Sequence, residues 1–519
     1  MRSKQVAKNM SLEMMNQIVT IVLGFASKTV FIYTLEETFL GISGIFTSLL
    51  SVLNMSELGI GAAITYSLYA PLAKGDHEKI SAIMRFYRNA YRLIGLIILV
   101  LGLGLTPFLN FFVSDDVSSV VNIYAIYLLY LIESVSSYWI GAYKSTLLEA
   151  NQQKYIVTFY TSIESIVSFS LKIATLVILR NSPLISFYTY LGIGIAARVV
   201  LNVLLAKRTD KEHPYIRGTA RHLTREEKKP ITKNVAGLFI SKLSGEMLTS
   251  ADNILISAFI STVTVGLYSN YLVLKSYIVK PIGIVFDSMT ASIGNFCASE
   301  SLDKQKIFFS TLQFTYFWIY GFCGICFWIL FNPFIAGVWI GEKYLLSDLC
   351  VFLIVTNFVL DGLTGAVIKF RTVHGLYWET KFRYLFSAVF NVIVSYLLIK
   401  PLGVAGVLLG STASILIMIS FDPVIVFRKV FHESALPYYL SYVGYLLLVL
   451  LTGFLVTVLV VPFGEYTKFN FVVKLCICCI VPNCLWYVLF RKSENMKYLI
   501  NYAKTLLIQI KNLVGERLK

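Results

Sequence analysis

The sequence is short of charged residues. Asp, Glu, Lys and Arg make up only 14% of its 519 residues, against about 25% in soluble domains. Hydrophobic residues reach 57%, and the mean hydropathy is +0.72. A soluble fold of this length, divided into domains of roughly 150 residues, could not bury that much apolar surface. The composition therefore excludes a soluble protein and predicts a polytopic, all-α membrane protein.

Residues that carry catalytic or metal chemistry are also scarce. The five histidines all lie in polar connecting segments, and all eight cysteines follow residue 296. Cys323 and Cys326 have the spacing of a redox motif but lie inside an apolar run, so we expect buried, unreactive thiols. No P-loop occurs, and no connecting segment is long enough to form a catalytic domain. We therefore predict no cofactor, no metal site and no enzymatic activity.

Long apolar runs are what the chain does contain. A helix needs about 20 mainly apolar residues to cross the hydrocarbon core of a bilayer. Reading for such runs between polar breaks predicts about fourteen transmembrane helices. They lie near 10–35, 39–69, 91–113, 117–142, 155–179, 184–206, 234–260, 264–294, 307–331, 345–368, 382–399, 402–427, 437–461 and 470–490.

The net charge of +16 is mainly a topology signal. Of the 45 Lys and Arg residues, 34 fall in alternate connecting segments when the N-terminus is placed in the cytoplasm. Cytoplasmic loops carry such an excess in membrane proteins. We therefore predict that both termini are cytoplasmic and that nucleic acid is not a partner.

Two halves of the sequence repeat at a nearly constant offset. Pro107 matches Pro333, and Lys144 matches Lys369. The repeat predicts an N-terminal six-helix lobe (1–206), a basic cytoplasmic linker (207–233) and a C-terminal six-helix lobe (234–431). An extra transmembrane pair (432–490) and a basic amphipathic cytoplasmic tail (491–519) follow, and the tail suits an anionic inner leaflet. Parallel repeats about an axis along the membrane normal are typical of alternating-access transporters.

Charged residues inside the predicted helices are the candidate functional residues, because a cation at the bilayer centre costs about 2.5–3.5 kcal/mol unless it faces a wet cavity or a partner. Lys242 and Glu246 are spaced to neutralise each other, and Arg198 is placed to reach the cytoplasmic surface. The predicted cavity residues are Lys28, Glu57, Lys172, Asp252, Asn253 and Lys275. The predicted coupling-ion residues are Glu57, Asp252 and Asp287. Cations suit a phosphate or pyrophosphate, whereas acids suit a proton, sodium or sugar hydroxyls.

Several short motifs resemble bacterial polysaccharide-biosynthesis (Wzx-like) flippases of the multidrug/oligosaccharidyl-lipid/polysaccharide exporter superfamily. They lie at 28–32, 40–46, 57–63, 68–73, 252–254, 266–271 and 291–295. The resemblance implies two six-helix lobes in a V and a location in the bacterial inner membrane. Two departures from the pattern matter. Lys28 stands where the pattern has Arg, and the extra helix pair is an addition.

The resemblance implies movement of an undecaprenyl-pyrophosphate-linked oligosaccharide to the outer leaflet for surface polysaccharide assembly. The substrate, membrane lipids, a polysaccharide polymerase and glycosyltransferases are the partners that it implies. A cation-coupled multidrug or small-molecule antiporter of the same superfamily is the alternative. An integral-membrane glycosyltransferase or polymerase is a third, which the absence of a large loop disfavours.

Overall fold

The structure is a computed structural model that describes residues 2–35, 37–54, 60–113, 121–218, 221–229, 231–232 and 250–501. These residues form helices and connecting turns without any β-strand. Ten of their helices are long and apolar enough to cross a membrane, and a pair bent by 43° raises the number to eleven. The predicted all-α polytopic fold is therefore confirmed.

The chain divides into two compact units, residues 1–281 and 282–519. The helices of the first unit are α1 (Arg2–Thr34), α2 (Glu37–Leu53), α3 (Ile60–Lys74), α4 (His77–Leu105), α5 (Ile123–Trp139), α6 (Ser145–Ala150), α7 (Lys154–Ile178) and α8 (Pro183–Glu212). Helix α9 (Thr262–Ser288) begins in this unit and continues into the second. Pro281, the last residue of the first unit, lies inside α9, where a proline removes one backbone hydrogen bond of the helix.

The second unit contains the remaining helices. They are α10 (Thr290–Ser299), α11 (Leu302–Pro333), α12 (Asp348–Gly362), α13 (Gly365–Val373), α14 (Tyr377–Leu402), α15 (Val404–Val426), α16 (Leu436–Val460) and α17 (Lys468–Phe490). The predicted lobe boundaries remain a prediction.

The helices recur at a constant offset along the chain. Helices α2, α4 and α5 begin at 37, 77 and 123, and α9, α11 and α12 begin at 262, 302 and 348, so the same separation divides each pair. The predicted transmembrane run 264–294 is interrupted, because it is divided between α9 and α10. Residues 55–59 of the run 39–69 lie outside the described residues. Most of the run 234–260 lies outside the described residues.

The start of α4 and the basic segment after α8 hold each other in place. Asp76 caps α4 by accepting a hydrogen bond from the Lys79 amide at 2.9 Å, as an N-cap carboxylate does. The Ser81 hydroxyl donates to the Tyr215 carbonyl at 3.1 Å. Arg221 forms an ion pair with Glu78 at 3.0 Å. The described part of the segment predicted as a linker is therefore docked on α4.

The pair α14 and α15 is joined by a polar seam. Ser387, Asn391 and Ser395 recur every four residues on α14, and all three are fully buried. Asn391 donates to the Ser411 hydroxyl at 3.0 Å, and a side chain at Gly410 would overlap Ser395. Small residues and interhelical hydrogen bonds allow helices to approach closely in a membrane.

The extra helix pair, α16 and α17, packs on α11. The Trp486 indole is fully buried, donates to the Thr452 hydroxyl at 3.0 Å and lies 4.7 Å from the Phe317 ring. The opposite side of α17 faces outward. Three cysteines of α17 are exposed on this side: Cys476, Cys479 and Cys484.

Candidate functional site

A polar cavity of about 560 Å³ lies within the first unit, in the size range typical of ligand sites. Helices α2, α4, α5, α7 and α8 contribute its walls. The lining residues are Ser43, Thr47, Leu50, Ser51, Asn54, Tyr91, Tyr130, Glu133, Ser134, Ser137, Ala142, Lys172, Tyr190, Leu191, Arg198 and Asn202. Hydroxyl and amide groups predominate, which is unusual for a surface enclosed by apolar helices.

Three ionisable side chains line this cavity: Glu133 on α5, Lys172 on α7 and Arg198 on α8. The Lys172 ammonium lies 4.6 Å from the centre of the Tyr190 ring, an arrangement that stabilises a cation. Among the described residues, no carboxylate oxygen lies within 4.0 Å of Lys172 or Arg198. The two cations therefore form no direct ion pairs with the described residues, although the Glu133 and Glu164 carboxylates lie near enough to Lys172 to attract it. Two cations and one carboxylate line the cavity itself.

Neutral polar groups complete the walls. Ser43 and Tyr130 share a hydrogen bond of 2.7 Å, and Ser134 donates to the Asn54 amide oxygen at 2.5 Å. The buried amide nitrogen of Asn202 has no hydrogen-bond partner among the described residues. Such a group costs free energy unless a ligand or water accepts its hydrogen bond. The cavity therefore offers donors and acceptors suited to a polar solute.

At its N-terminal end, α2 crosses α9 with the two backbones in contact. A Cβ atom at Gly41 would lie 2.0 Å from the Thr262 carbonyl oxygen, and a Cβ atom at Gly266 would lie 3.0 Å from the Glu37 carbonyl oxygen. Glu37 begins α2 and Thr262 begins α9, and Gly41 and Gly266 occupy the same position in the two helices. The contact is therefore symmetric in the repeat. Only glycine permits such an approach.

Further contacts seal the same end of the unit. Ser257 donates to the Phe112 carbonyl at 2.5 Å, and the Phe111 and Phe259 rings meet edge to face at 6.1 Å. The cavity begins two residues after Gly41 and follows α2 from Ser43 to Ser51. The described helices of the first unit are thus in close contact where α2 and α9 begin, and they enclose a cavity further along α2.

Of the predicted cavity residues, Lys172 lines this cavity. Lys28 lies beside α9 and donates to the Ser269 hydroxyl at 3.4 Å. Asp252 is buried and accepts a hydrogen bond from Tyr268 at 3.4 Å. The structure therefore brings Lys28 and Asp252 to adjacent residues of α9, and neither is among the residues that line the cavity.

The other predicted site residues are dispersed. The Asn253 amide donates to Ser48 of α2 at 2.9 Å, which joins two helices. Lys275 is partly buried on α9 and is not among the lining residues. Asp287 lies in the second unit, where Lys369 donates to it at 2.5 Å. Glu57 lies outside the described residues, as do Lys242 and Glu246.

Sequence reasoning did not select Glu133 and Arg198 as site residues. Both are charges inside predicted transmembrane runs, and this was the available signal. The structure places Arg198 in the cavity wall, and α8 continues as a helix beyond it to Glu212. The inward direction of Glu133 follows from the packing of α5, which its sequence does not reveal.

A second charge cluster is buried in the second unit. Arg371 on α13 and Arg383 on α14 both form ion pairs with Asp422 of α15, and each side chain is at most 8% exposed. Both guanidinium groups also lie over the Tyr384 ring, at 5.1 and 4.5 Å. The cluster therefore joins three helices, α13, α14 and α15.

The structure resembles several solved transporters. It superposes on the lipid II flippase MurJ in an inward closed conformation with a TM-score of 0.62 and 16% identity, over 92% of this chain and 98% of that one. For an inward-facing multidrug resistance MATE family transporter of the MOP superfamily the TM-score is 0.57 with 14% identity, over 78% and 94%. For the Vibrio cholerae MATE transporter VcmN it is 0.55 with 11% identity, over 83% and 99%.

Sequence comparison adds nothing to these likenesses, since no family profile and no curated protein sequence matches the chain. At 11–16% identity the structural likenesses establish the fold alone. The chain has the polytopic fold of MOP superfamily transporters.

Proposed function

We propose that this chain is a flippase that moves an undecaprenyl-pyrophosphate-linked oligosaccharide from the cytoplasmic to the outer leaflet by alternating access, for surface polysaccharide assembly. The observation that carries the proposal is the polar cavity within the helices of the first unit, in which Lys172 and Arg198 lack ion-pair partners among the described residues. The likeness in fold to a lipid II flippase agrees with it.

The cavity chemistry matches the two parts of the proposed head group. Lys172 and Arg198 supply charge-assisted hydrogen bonds to the pyrophosphate, and the Arg guanidinium is suited to bidentate contact. Asn54, Asn202 and Tyr130 can donate to or accept from sugar hydroxyls. The polyprenyl chain would remain in the lipid. Lys28 is proposed as a further phosphate contact that the cargo meets next to α9.

The cavity and the α2–α9 crossing together suggest how access alternates. With the crossing closed, the cavity is hollow only on the side toward the C-terminal ends of α2 and α8, which we propose to be cytoplasmic. Separation of Gly41 from Thr262 would open the opposite end. Because close-packed contacts have discrete alternatives and do not deform continuously, the crossing is suited to act as a two-state barrier.

A cation-coupled antiporter is the second candidate, favoured by one observation. Glu133 is a carboxylate that lines the cavity, where it could take up a proton or sodium as the coupling ion. MATE transporters share the fold. Two cations in the same cavity oppose the binding of an organic cation, so we place this function second.

Reconstitution distinguishes the two functions. The purified chain in lipid vesicles would be supplied with a fluorescent undecaprenyl-pyrophosphate oligosaccharide, and its exposure on the opposite leaflet followed with an impermeant sugar-oxidising reagent. Loss of a charged hydrogen bond costs about 1.5–3 kcal/mol, so Arg198→Gln and Lys172→Gln should slow movement by about tenfold or more. Arg180→Gln, an exposed cation between α7 and α8, is the matched control and should leave movement unchanged.

Two results would count against the flippase. If the lipid-linked oligosaccharide moves between leaflets no faster than in empty vesicles, the chain is not a flippase for it. Uptake of ethidium driven by a proton or sodium gradient in the same vesicles, abolished by Glu133→Gln, would establish the antiporter instead.

We further propose a bacterial inner-membrane location with both termini in the cytoplasm, and contact of the basic tail with anionic lipid. A polysaccharide polymerase and glycosyltransferases are proposed as the proteins that use and supply the cargo. Cleavage of a protease site added to either terminus, from inside but not outside sealed cells, would test the orientation.

A further inference from the structure

The first unit carries a row of arginines that is separate from the cavity described above. Arg85, Arg88 and Arg92 are spaced three and four residues apart on α4, so they share one face of the helix. We call these three residues the α4 basic face. The rule that cytoplasmic loops are basic accounts for cations at the membrane surface, but it does not require them to line cavities.

Two small cavities open along the α4 basic face. One, of about 280 Å³, is lined by Arg85, Arg88, Lys144 and Arg217 among others. The other, of about 210 Å³, is lined by Arg88, Arg92 and Lys144 among others. Arg88 and Lys144 line both cavities, which makes the two spaces neighbours and gives them five cationic side chains in total.

Two of these cations, Arg88 and Arg92, are not paired with a carboxylate in the described part of the chain. Among the described residues, Asp210 pairs with Lys144, which donates to both of its carboxylate oxygens at 2.7 Å. Arg217 lies 3.6 Å from the same carboxylate. Arg88 and Arg92 have no carboxylate within 4.0 Å among the described residues, and the buried Arg88 Nε has no hydrogen-bond partner there. An anion would complete this site.

The position of the α4 basic face along the helix indicates where the anion comes from. The next two turns of α4 present an exposed apolar surface, formed by Leu93, Leu96, Ile97, Val100 and Leu101. Trp139 lines the smaller cavity, is 47% exposed, and donates from its indole nitrogen to the Arg92 carbonyl at 3.3 Å. Exposed tryptophans mark the level of lipid head groups. The arginines therefore lie where lipid-facing surface gives way to polar surface.

We propose that the α4 basic face, with Lys144 and Arg217, binds the phosphate of an anionic membrane lipid. The ligand chemistry is a phosphate group, and the lipid-facing surface that adjoins the arginines favours a phospholipid over a free phosphate. Basic pockets between transmembrane helices bind anionic head groups in this manner. The site is distinct from the cargo cavity and does not depend on the proposed transport function.

Native mass spectrometry of the detergent-purified full-length chain tests the site. Phosphatidylglycerol, phosphatidylcholine and inorganic pyrophosphate would each be titrated, and the Kd of the first bound molecule measured. Each lost charge-assisted hydrogen bond weakens binding by about tenfold or more. The double variant Arg85→Gln/Arg88→Gln should therefore bind phosphatidylglycerol at least about tenfold more weakly, with phosphatidylcholine binding unchanged.

Two further variants separate a specific loss from a general one. Arg180→Gln/Lys400→Gln removes the same charge from exposed positions and should bind phosphatidylglycerol like the wild type. Arg85→Lys/Arg88→Lys retains the charge that the proposal requires, so it should recover most of the phosphatidylglycerol binding lost in the glutamine variant. Equal weakening in both charge-removing variants, or none in either, would overturn the site. Arginine-dependent binding of pyrophosphate without phosphatidylglycerol would overturn the lipid assignment.

Discussion

The crossing of α2 and α9 gives the sharpest prediction, because its geometry leaves a side chain no room. Gly41→Ala would place a Cβ atom 2.0 Å from the Thr262 carbonyl oxygen, where ordinary contact begins at 3.4 Å. The obstacle is backbone and cannot rotate away. The two helices must therefore move apart by more than about 1 Å, and we expect this to favour the state that is open at the α2–α9 end.

The size of the effect can be bounded. Overpacking a close contact costs about 1–3 kcal/mol, which corresponds to a change of about 5–150-fold in the ratio of open to closed states. Gly266→Ala should act more weakly, because its Cβ atom would meet the Glu37 carbonyl oxygen at 3.0 Å and a shift of a few tenths of an ångström relieves that contact. The order of the two variants follows from the two distances.

Accessibility of a cavity residue provides the assay. The thiol introduced by Ser51→Cys, in a chain whose eight native cysteines are replaced by serine, would be labelled in whole cells with an impermeant maleimide. The labelling rate should rise from the wild type through Gly266→Ala to Gly41→Ala. Gly192→Ala is the matched control, because nothing lies within 4 Å of its Cβ position on α8, and it should label at the wild-type rate.

A folded Gly41→Ala variant that labels at the wild-type rate would show that the α2–α9 crossing does not close the cavity. Size-exclusion behaviour and thermal unfolding in detergent establish whether the variant is folded. If Gly41→Ala does not fold, the labelling rate of Gly266→Ala is the test. A Gly266→Ala rate equal to that of Gly192→Ala would then show that the crossing does not close the cavity.

Three other predictions concern stability and pH. Asp422→Asn leaves two buried guanidinium groups without their carboxylate, so we expect a loss of about 3–5 kcal/mol, measured as a lower thermal midpoint, whereas Asp303→Asn at an exposed position should change little. Trp486→Ala removes a fully buried indole and should cost about 3–5 kcal/mol; an unchanged midpoint would show that α17 is dispensable. Arg221 holds the pKa of Glu227 at about 2, below its ordinary 4.5. The stabilisation from this pair is therefore complete above pH 4.5 and lost as pH falls through about 2, so hydrogen exchange in residues 221–229, corrected for intrinsic rate, should stay slow at pH 5 and become fast only near pH 2.

The fold class was predictable because each long apolar run in the sequence indicates a membrane helix independently of the others. Apolar runs and the distribution of Lys and Arg predict the long helices of the described chain, and the repeat agrees with helix starts that pair 37 with 262, 77 with 302 and 123 with 348. Helix breaks were less accessible. No proline or glycine stands between α9 and α10, so composition alone could not place the break between them.

The site was only partly predictable because helix orientation about its own axis depends on tertiary packing. Lys172 is a predicted site residue that lines the cavity, while Lys28 and Asp252, predicted on the same grounds, contact α9. The sequence predicts a surface position for Arg198 because the apolar run of α8 ends near residue 206. The helix itself continues to Glu212 and is therefore longer than its apolar run. A charge inside an apolar run signals that a partner exists, but the run itself does not identify the partner.

The symmetric glycine contact also has a consequence for how the protein is made. The face of α2 that carries Gly41 packs on α9, which begins only at Thr262 and is therefore synthesised much later. At about 5–20 residues per second, ribosomes need about 10–45 s to supply that partner. During this interval α2 must reside in the bilayer with its close-packing face open to lipid or to other helices. A membrane insertase or chaperone that shields this face would keep the nascent first half from pairing with the wrong chain.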